Sequence, residues 1–338
     1  ARDVVFANCL ERVGDTVGES EAALGEAATY LSQIGEATND VPRLLGLLIG
    51  QANNAYPEMV LASATDAMAP APSPALALIR NYMQPITQRY ALGAFGRGWS
   101  HQFELELIDD GDLYILHSPV GDRVFEKDAD DPQDLLKAKG LFGDPGRLVS
   151  AGTGIRVYEP EGTVLQFASD GRLEEIQDES GNRIQLIYTG GQLTSLEHSL
   201  GDVFTLEYNA NGRISRLTDH AGRLTQYTYD ASGEHLLEVT GPYGTVNYTY
   251  ESGAGAAREH ALTSVVDATG SGVFFSYDES GRLVGSERNG GAEATTIQYG
   301  PEATVTYMDA TGATNTVLLN VFGRVSQVRD ALGRIVQR

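Results

Sequence analysis

Six histidines, one cysteine and 46 acidic side chains are the groups in this 338-residue sequence from which a general base, a nucleophile or a metal site would be assembled. The histidines, His101, His117, His198, His220, His235 and His260, are scattered, and no His-Glu-x-x-His, Gly-x-Ser-x-Gly or P-loop phrase accompanies them. Metalloprotease, hydrolase and nucleotide chemistry therefore lack a starting motif. Asp219-His220 beside Arg223 has the residue types of a charge relay, but no nucleophile stands near it, and a solvated turn accounts for the same residues. The acidic clusters Asp109-Asp110-Gly111-Asp112 and Asp128-Ala129-Asp130-Asp131 could offer hard oxygen ligands to Ca²⁺, yet neither has the spacing of an EF-hand loop. Asp and Gly are also what hairpin turns select. The expectation is a chain that is not an enzyme, with no catalytic residues, no metal and no cofactor.

Charge narrows the partners. Against 46 acidic residues stand 24 basic ones, a net charge of −22, which repels phosphate backbones and anionic lipid surfaces. Nucleic acid is excluded as a partner. Only Lys127, Lys137 and Lys139 are lysines, so 21 of the basic residues are arginine, the residue suited to forked pairing with carboxylates. Cys9 is the sole cysteine, which rules out an internal disulfide and a cysteine-based zinc site within these residues. No run of 18 apolar residues occurs, so membrane insertion through an apolar helix is not expected. The opening Ala1-Arg2-Asp3 is neither a signal peptide nor a usual initiator, and a processed chain or a piece of a longer one is expected.

The elements that must position these side chains announce themselves through a repeat. Gly171-Arg172, Gly212-Arg213, Gly222-Arg223, Gly281-Arg282, Gly323-Arg324 and Gly333-Arg334 share one phrase, and from Gly201 to Gly244 the glycines recur at steps of 11, 10, 11 and 11. Two steps make a unit of about 21 residues, the period of a β-hairpin array. Each step holds a short alternating run such as Leu224-Thr225-Gln226-Tyr227-Thr228-Tyr229, bounded by Asp/Asn/Ser/Gly clusters that favour tight turns. Each Gly-Arg arginine is read as turn chemistry, pairing or stacking on the next strand, with a basic ligand-binding stripe as the alternative. Tyr188, Tyr208, Tyr229, Tyr250, Tyr277 and Tyr299 occupy matching places and should form a ladder on one face. Carbohydrate stacking on exposed tyrosine rings is the alternative role. Trp99, the only tryptophan, lies in Phe95-Gly96-Arg97-Gly98-Trp99, where the flanking glycines suggest a tight backbone carrying the ring into the core.

Four regions follow. Residues 1–68 are expected to be helical, from the spacing of Val13, Val17, Ala23, Ala27, Leu31 and Ile34 and from Pro42 early in a second helix. Residues 69–75, Ala-Pro-Ala-Pro-Ser-Pro-Ala, read as an extended linker. Residues 76–150 form a β module with a hairpin at Asp109–Asp112 and a polar insert at Lys127–Gly146 that could hold a short helix. Residues 151–338 are the repeats, interrupted by a longer hairpin loop at Gly253–Gly255.

Tyr229-Asp230-Ala231-Ser232-Gly233, Tyr277-Asp278-Glu279-Ser280-Gly281-Arg282 and Thr218-Asp219-His220-Ala221-Gly222-Arg223 closely resemble the YD repeats of the Rhs/YD-repeat family of bacterial polymorphic toxins, Tc-toxin cocoon subunits and teneurins. Ile79-Arg80-Asn81-Tyr82 followed by Phe95-Gly96-Arg97-Gly98-Trp99 looks like the module that precedes those repeats in bacterial members. Tyr250-Glu251, Tyr188-Thr189, Tyr208-Asn209 and Gly312-Ala313 depart from the pattern. The resemblance implies a mainly β fold: a long antiparallel hairpin sheet spiralling into a shell, in some relatives around a toxic segment and in some plugged by N-terminal residues. It also implies a secreted or cell-surface bacterial setting. At two strands per 21 residues, residues 76–338 make roughly 25 strands, or about 120 Å of sheet at ~4.8 Å per strand. That is a piece of wall of about a turn, and the count by itself leaves open whether the sheet closes. The aspartate-based self-cleaving core that ends the repeats in cargo-bearing relatives is not among these residues. The function expected is a non-catalytic scaffold or shell segment. The alternatives are a self-associating adhesive or filament-forming module, and a cocoon for a toxin carried on another segment. Further repeats, other copies of the chain or a cargo polypeptide are the expected partners.

Overall fold

The computed structural model describes residues 1–55, 60–127, 136–138, 146–151, 154–300, 302–321 and 323–337. Alternation governs the second half. In the strand Arg183–Thr189, Ile184 and Leu186 are buried while Arg183 and Gln185 face solvent, the pattern of a sheet with one covered face. Nineteen antiparallel strands, from Arg147–Ala151 to Ile335–Gln337, follow one another in chain order. Glu106–Asp110, Leu113–His117, Arg123–Glu126 and Leu136–Ala138 extend the same sheet at its leading side. The Asp109–Asp112 hairpin is present, with Asp110 opposite Leu113.

The sheet curls without closing into a barrel. Its leading strand turns back onto an early repeat turn, where Glu106 bridges to Arg172 and the Leu107 N–H donates to the Gly171 carbonyl at 2.8 Å. Gly171 has φ 86°, and a Cβ there would sit 2.3 Å from the Leu107 carbonyl oxygen, so the contact demands glycine. Curvature has a repeated local cause: the register shifts between Ile187/Tyr188, Glu207/Tyr208, Thr228/Tyr229, Thr249/Tyr250 and Ser276/Tyr277. A bulge at each of these tyrosines bends the strand and adds twist.

Three helices precede the sheet: α1 (Arg2–Val13), α2 (Val17–Gln33) and α3 (Val41–Ala52). A capping box starts α2, with Thr16 Oγ1 accepting from the Glu19 N–H and Glu19 Oε2 from the Thr16 N–H. Pro42 lies in the first turn of α3. The buried stripe of α2 and α3, including Ala27, Tyr30, Leu31, Leu44 and Leu47, packs against Tyr277, Leu283, Ile297, Val305, Leu318 and Leu319 of the sheet. Tyr30 Oη reaches the carbonyls of Ala303 at 3.0 Å and Leu319 at 2.7 Å.

Two expectations about the N-terminal regions are corrected. Helix stops at Ala52, and Val60–Met68 is a strand paired antiparallel with Ala77–Met83. Alanine and methionine give Val60–Met68 little strand propensity, and the partner strand overrides that preference. The Pro/Ala segment is the loop of this hairpin rather than a free linker, tied by the Ala69 N–H to the Leu76 carbonyl at 2.9 Å. Strand pairing stops where prolines begin because proline has no N–H to donate. Trp99–His101 adds a third strand beside Ala77–Met83. The short helix anticipated in the Lys127–Gly146 insert falls largely outside the described residues, and the described Leu136–Ala138 is a strand.

Candidate functional site

Each repeat turn is built from the same parts. Asp219 N–H donates to the Arg223 carbonyl and Gly222 N–H to the Asp219 carbonyl, and the same two bonds recur in Asp278–Arg282 and Asp330–Arg334. Gly171, Gly212, Gly222, Gly281, Gly323 and Gly333 have φ between 70° and 86°, the left-handed step that ends a three-residue hairpin loop, and Gly233 takes the same step within the longer Asp230–His235 loop. The aspartate completes the turn: Asp219 Oδ1 accepts from the Ala221 and Arg223 N–H groups, and Oδ2 from Arg223 Nε at 2.6 Å. Asp219 is thereby committed to the turn and its arginine rather than to a relay through His220. Arg282 and Arg334 bind Asp278 and Asp330 in the same way, each at 2.7 Å, and Arg172 binds Asp170. Arg213 instead donates to the Gly233 carbonyl, and the Arg324 N–H donates to Asn320. Arg172 and Arg282 also lie over the rings of Tyr188 and Tyr299, at 5.1 and 4.7 Å. Of the two acidic clusters, Asp109 is bound by Lys127 Nζ at 2.6 Å, and Asp128–Asp131 lie outside the described residues.

The six ladder tyrosines point to the covered face and spend their hydroxyls there. Tyr208, Tyr229, Tyr250, Tyr277 and Tyr299 donate to the carbonyls of Leu193, Ile214, Leu236, Leu262 and Leu283, each the strand partner of the preceding tyrosine or its equivalent. Tyr188 does the same to Leu173. Burial pushes the Tyr188 and Tyr208 phenols up to about 12. Rings packed in this way are not a free stacking platform, so carbohydrate binding finds no support.

The functional centre of gravity is the junction where the N-terminal hairpin meets this face. Arg80, an expected strand residue, is buried, and Asp66 Oδ2 accepts from its Nε at 2.7 Å and from Tyr227 Oη at 2.9 Å. Arg80 also donates to Tyr248 Oη at 2.8 Å and lies 4.6 Å from the Trp99 ring. Trp99 is 2% exposed and donates from Nε1 to Tyr250 Oη at 2.8 Å, linking the module to the ladder. Arg97 grips Glu234 through two bonds of 2.7 and 3.0 Å, while its N–H donates to the Glu234 carbonyl. Gly96, beside it, has no room for a Cβ, which would lie 2.5 Å from that carbonyl oxygen. The phrase Phe95–Trp99 is thus a docking strap.

Two of the scattered histidines meet here. His235 Nδ1 lies 2.9 Å from Asp230 Oδ2, and His235 Nε2 lies 2.9 Å from His260 Nδ1. Burial alone would raise Asp230, but bonds from His235, Ser232 and the Glu234 and His235 amides hold it well below the carboxylate range. Burial, then Arg97 and His235, lower His260 to about 4. The His260 carbonyl accepts from Tyr82 Oη, so the chain Asp230–His235–His260 ends on the hairpin. A carboxylate and two imidazoles stand in one hydrogen-bonded line, but Tyr82 reaches only the backbone carbonyl of His260 and lies outside it, and no nucleophile joins the line in the bonds described. Asp66, Glu234 and the His235–His260 contact carry no signal in the sequence, and Tyr82 is marked there only as part of the phrase Ile79–Tyr82. Only the arginine inside the apolar strand Ala77–Met83 could have signalled a buried partner.

Comparison with known proteins follows these boundaries. The RHS Repeat family matches residues 208–246, and Domain of unknown function (DUF6531) matches residues 58–125. The latter span includes Val60–Met68, which joins that strand to the module. No curated protein matches the sequence. Among solved structures, the crystal structure of TcdB2-TccC3-TEV is similar at 12% identity and TM-score 0.33, over 80% of this chain and 18% of that one. TcdB2-TccC3 without its hypervariable C-terminal region is similar at 13% identity and TM-score 0.32, over 65% of this chain and 15% of that one. The chain thus spans less than a fifth of the length of these structures.

Proposed function

We propose that this mainly β chain, whose residues 208–246 match the RHS Repeat family, is a non-catalytic shell wall of the Rhs/YD-repeat type plugged by its own N-terminal residues. One observation carries this reading: a single face of the sheet is covered twice. Residues from Ala67 to Phe103 pack on it from Leu173 to Leu262, and α2 with α3 packs on it from Tyr277 to Leu319. Enclosure of a toxic segment, where it occurs, would fall to wall other than these strands. Secretion or cell-surface display belongs to the same proposal, and among the described residues no helix is long and apolar enough to cross a membrane.

Removal of residues 1–55 tests the plug. Amide exchange should accelerate selectively across Leu262–Leu319, with binding of an apolar dye, while Arg183–Tyr229 keeps its protection. Unchanged protection across Leu262–Leu319 would refute the reading. Sedimentation of the intact chain tests the self-associating alternative. A concentration-independent monomer disposes of that alternative, and a stable dimer through the Ile335–Gln337 edge would favour it over a simple wall.

A further inference from the structure

A cavity of about 570 Å³ lies between the Leu92–Glu106 segment and the start of the tyrosine ladder. That volume falls within the range that holds small organic ligands. Phe103, Tyr188 and Tyr208 give it aromatic lining, and Ser100, Glu104 and Arg213 stand among its polar residues. The tyrosine hydroxyls are already committed to the Leu173 and Leu193 carbonyls.

The polar groups are unequal. Of the arginines at the cavity, Arg172 is paired with Asp170 and stacked on Tyr188, and Arg213 donates to the Gly233 and Gly212 carbonyls. The Glu104 carboxyl has no such company. Its Oε1 is buried without a hydrogen-bond partner, and the nearest cationic candidate, His101 Nε2, is 3.4 Å away. Burial holds the His101 imidazole down at about 4, so that ring brings no charge at neutral pH. Ser100 Oγ, on a residue only 6% exposed, is also buried and unpartnered. What the cavity lacks is therefore a positively charged hydrogen-bond donor with a short apolar body.

We propose that this cavity is a binding site for a small primary ammonium ligand, whose nitrogen meets the Glu104 carboxylate while its alkyl part lies among Phe103, Tyr188 and Tyr208. Desolvation raises Glu104 to about 8, with the His101 amide partly offsetting it, so the empty site is largely protonated at pH 7. An arriving ammonium favours the carboxylate, and binding must release a proton.

Titration calorimetry of the intact chain with n-butylammonium, in two buffers of different ionisation heat, tests this. Saturable binding is expected, with proton release at pH 7 that fades by about pH 9. Glu104→Gln should weaken it about tenfold or more while raising the unfolding midpoint at pH 7, because the unfolded chain no longer gains by ionising this carboxyl. Equal binding of n-butanol, tighter binding of butyrate, or no saturation by about 10 mM would each overturn the proposal. Amide shifts in the unmutated protein give a second readout independent of any variant. Shifts centred on Ser100–Glu104 and Tyr208 support the site, and shifts confined elsewhere overturn it.

Discussion

Aspartate and arginine pair in two regions of this molecule with opposite consequences. In the repeat turns Asp219–Arg223, Asp278–Arg282 and Asp330–Arg334 pair at i,i+4 within one loop, with the arginine side chains 40%, 28% and 72% exposed, and the carboxylate serves the turn amides as much as the guanidinium. At the junction Asp66–Arg80 joins two strands of the hairpin, with side chains 4% and 1% exposed, and extends to Tyr227 and Tyr248 of the wall. Exposed pairs are screened and contribute little net stability. A buried pair costs desolvation to form but cannot lose one member cheaply. The turn pairs therefore shape each hairpin, and the buried pair specifies where the repeat strands meet the N-terminal hairpin.

The largest effect should come from Asp66→Ala, which strands Arg80 in the core and should cost about 3–5 kcal/mol in denaturant unfolding. Adding Arg80→Met to it should recover a large part of the loss, whereas a further loss would show that the pair itself is strongly net stabilising.

Acid should act next. His101 is buried with its folded-state pKa lowered to about 4. Unfolded chains take up the proton from about pH 6.5 downward, so its contribution is full above that value and is lost as pH falls toward 4, about 3 kcal/mol in all. Glu104, raised to about 8, works in the opposite sense, because its folded form holds a proton that the unfolded carboxyl gives up above its ordinary value. Glu104→Gln should therefore lose stability more steeply between pH 7 and 5 than the parent chain. A shallower slope in thermal midpoints would contradict this pairing.

Tyr229→Phe removes the 2.6 Å bond to the Ile214 carbonyl and should cost about 1 kcal/mol, read as a lower unfolding midpoint. Tyr208→Phe should match it if the ladder is uniform. Arg334→Ala, at a turn arginine whose side chain is 72% exposed, should leave the midpoint within experimental scatter.

Much of the wall is readable because its determinants are local. A glycine that must take positive φ, an aspartate that caps its own turn and a tyrosine one bulge away all lie within a unit of about 21 residues. The junction is not local. Arg97 and Glu234 are 137 residues apart, Arg80 and Tyr248 168, and Tyr82 and His260 178. Val60–Met68 shows the same limit at shorter range, since its alanines acquire strand geometry only from Ala77–Met83. Two of the scattered histidines, His235 and His260, become a hydrogen-bonded pair for the same reason.

The repeat, the hairpin turns and the matching places of the tyrosines are legible along the chain. Only the folded chain shows that the sheet curls without closing, that the preceding hairpin and helices cover one of its faces, and that Glu104 faces a cavity without a counter-charge. The physical reason is one of range. Turn and strand preferences are set by neighbours along the chain, whereas the meeting of distant surfaces depends on twist accumulated over many bulged strands.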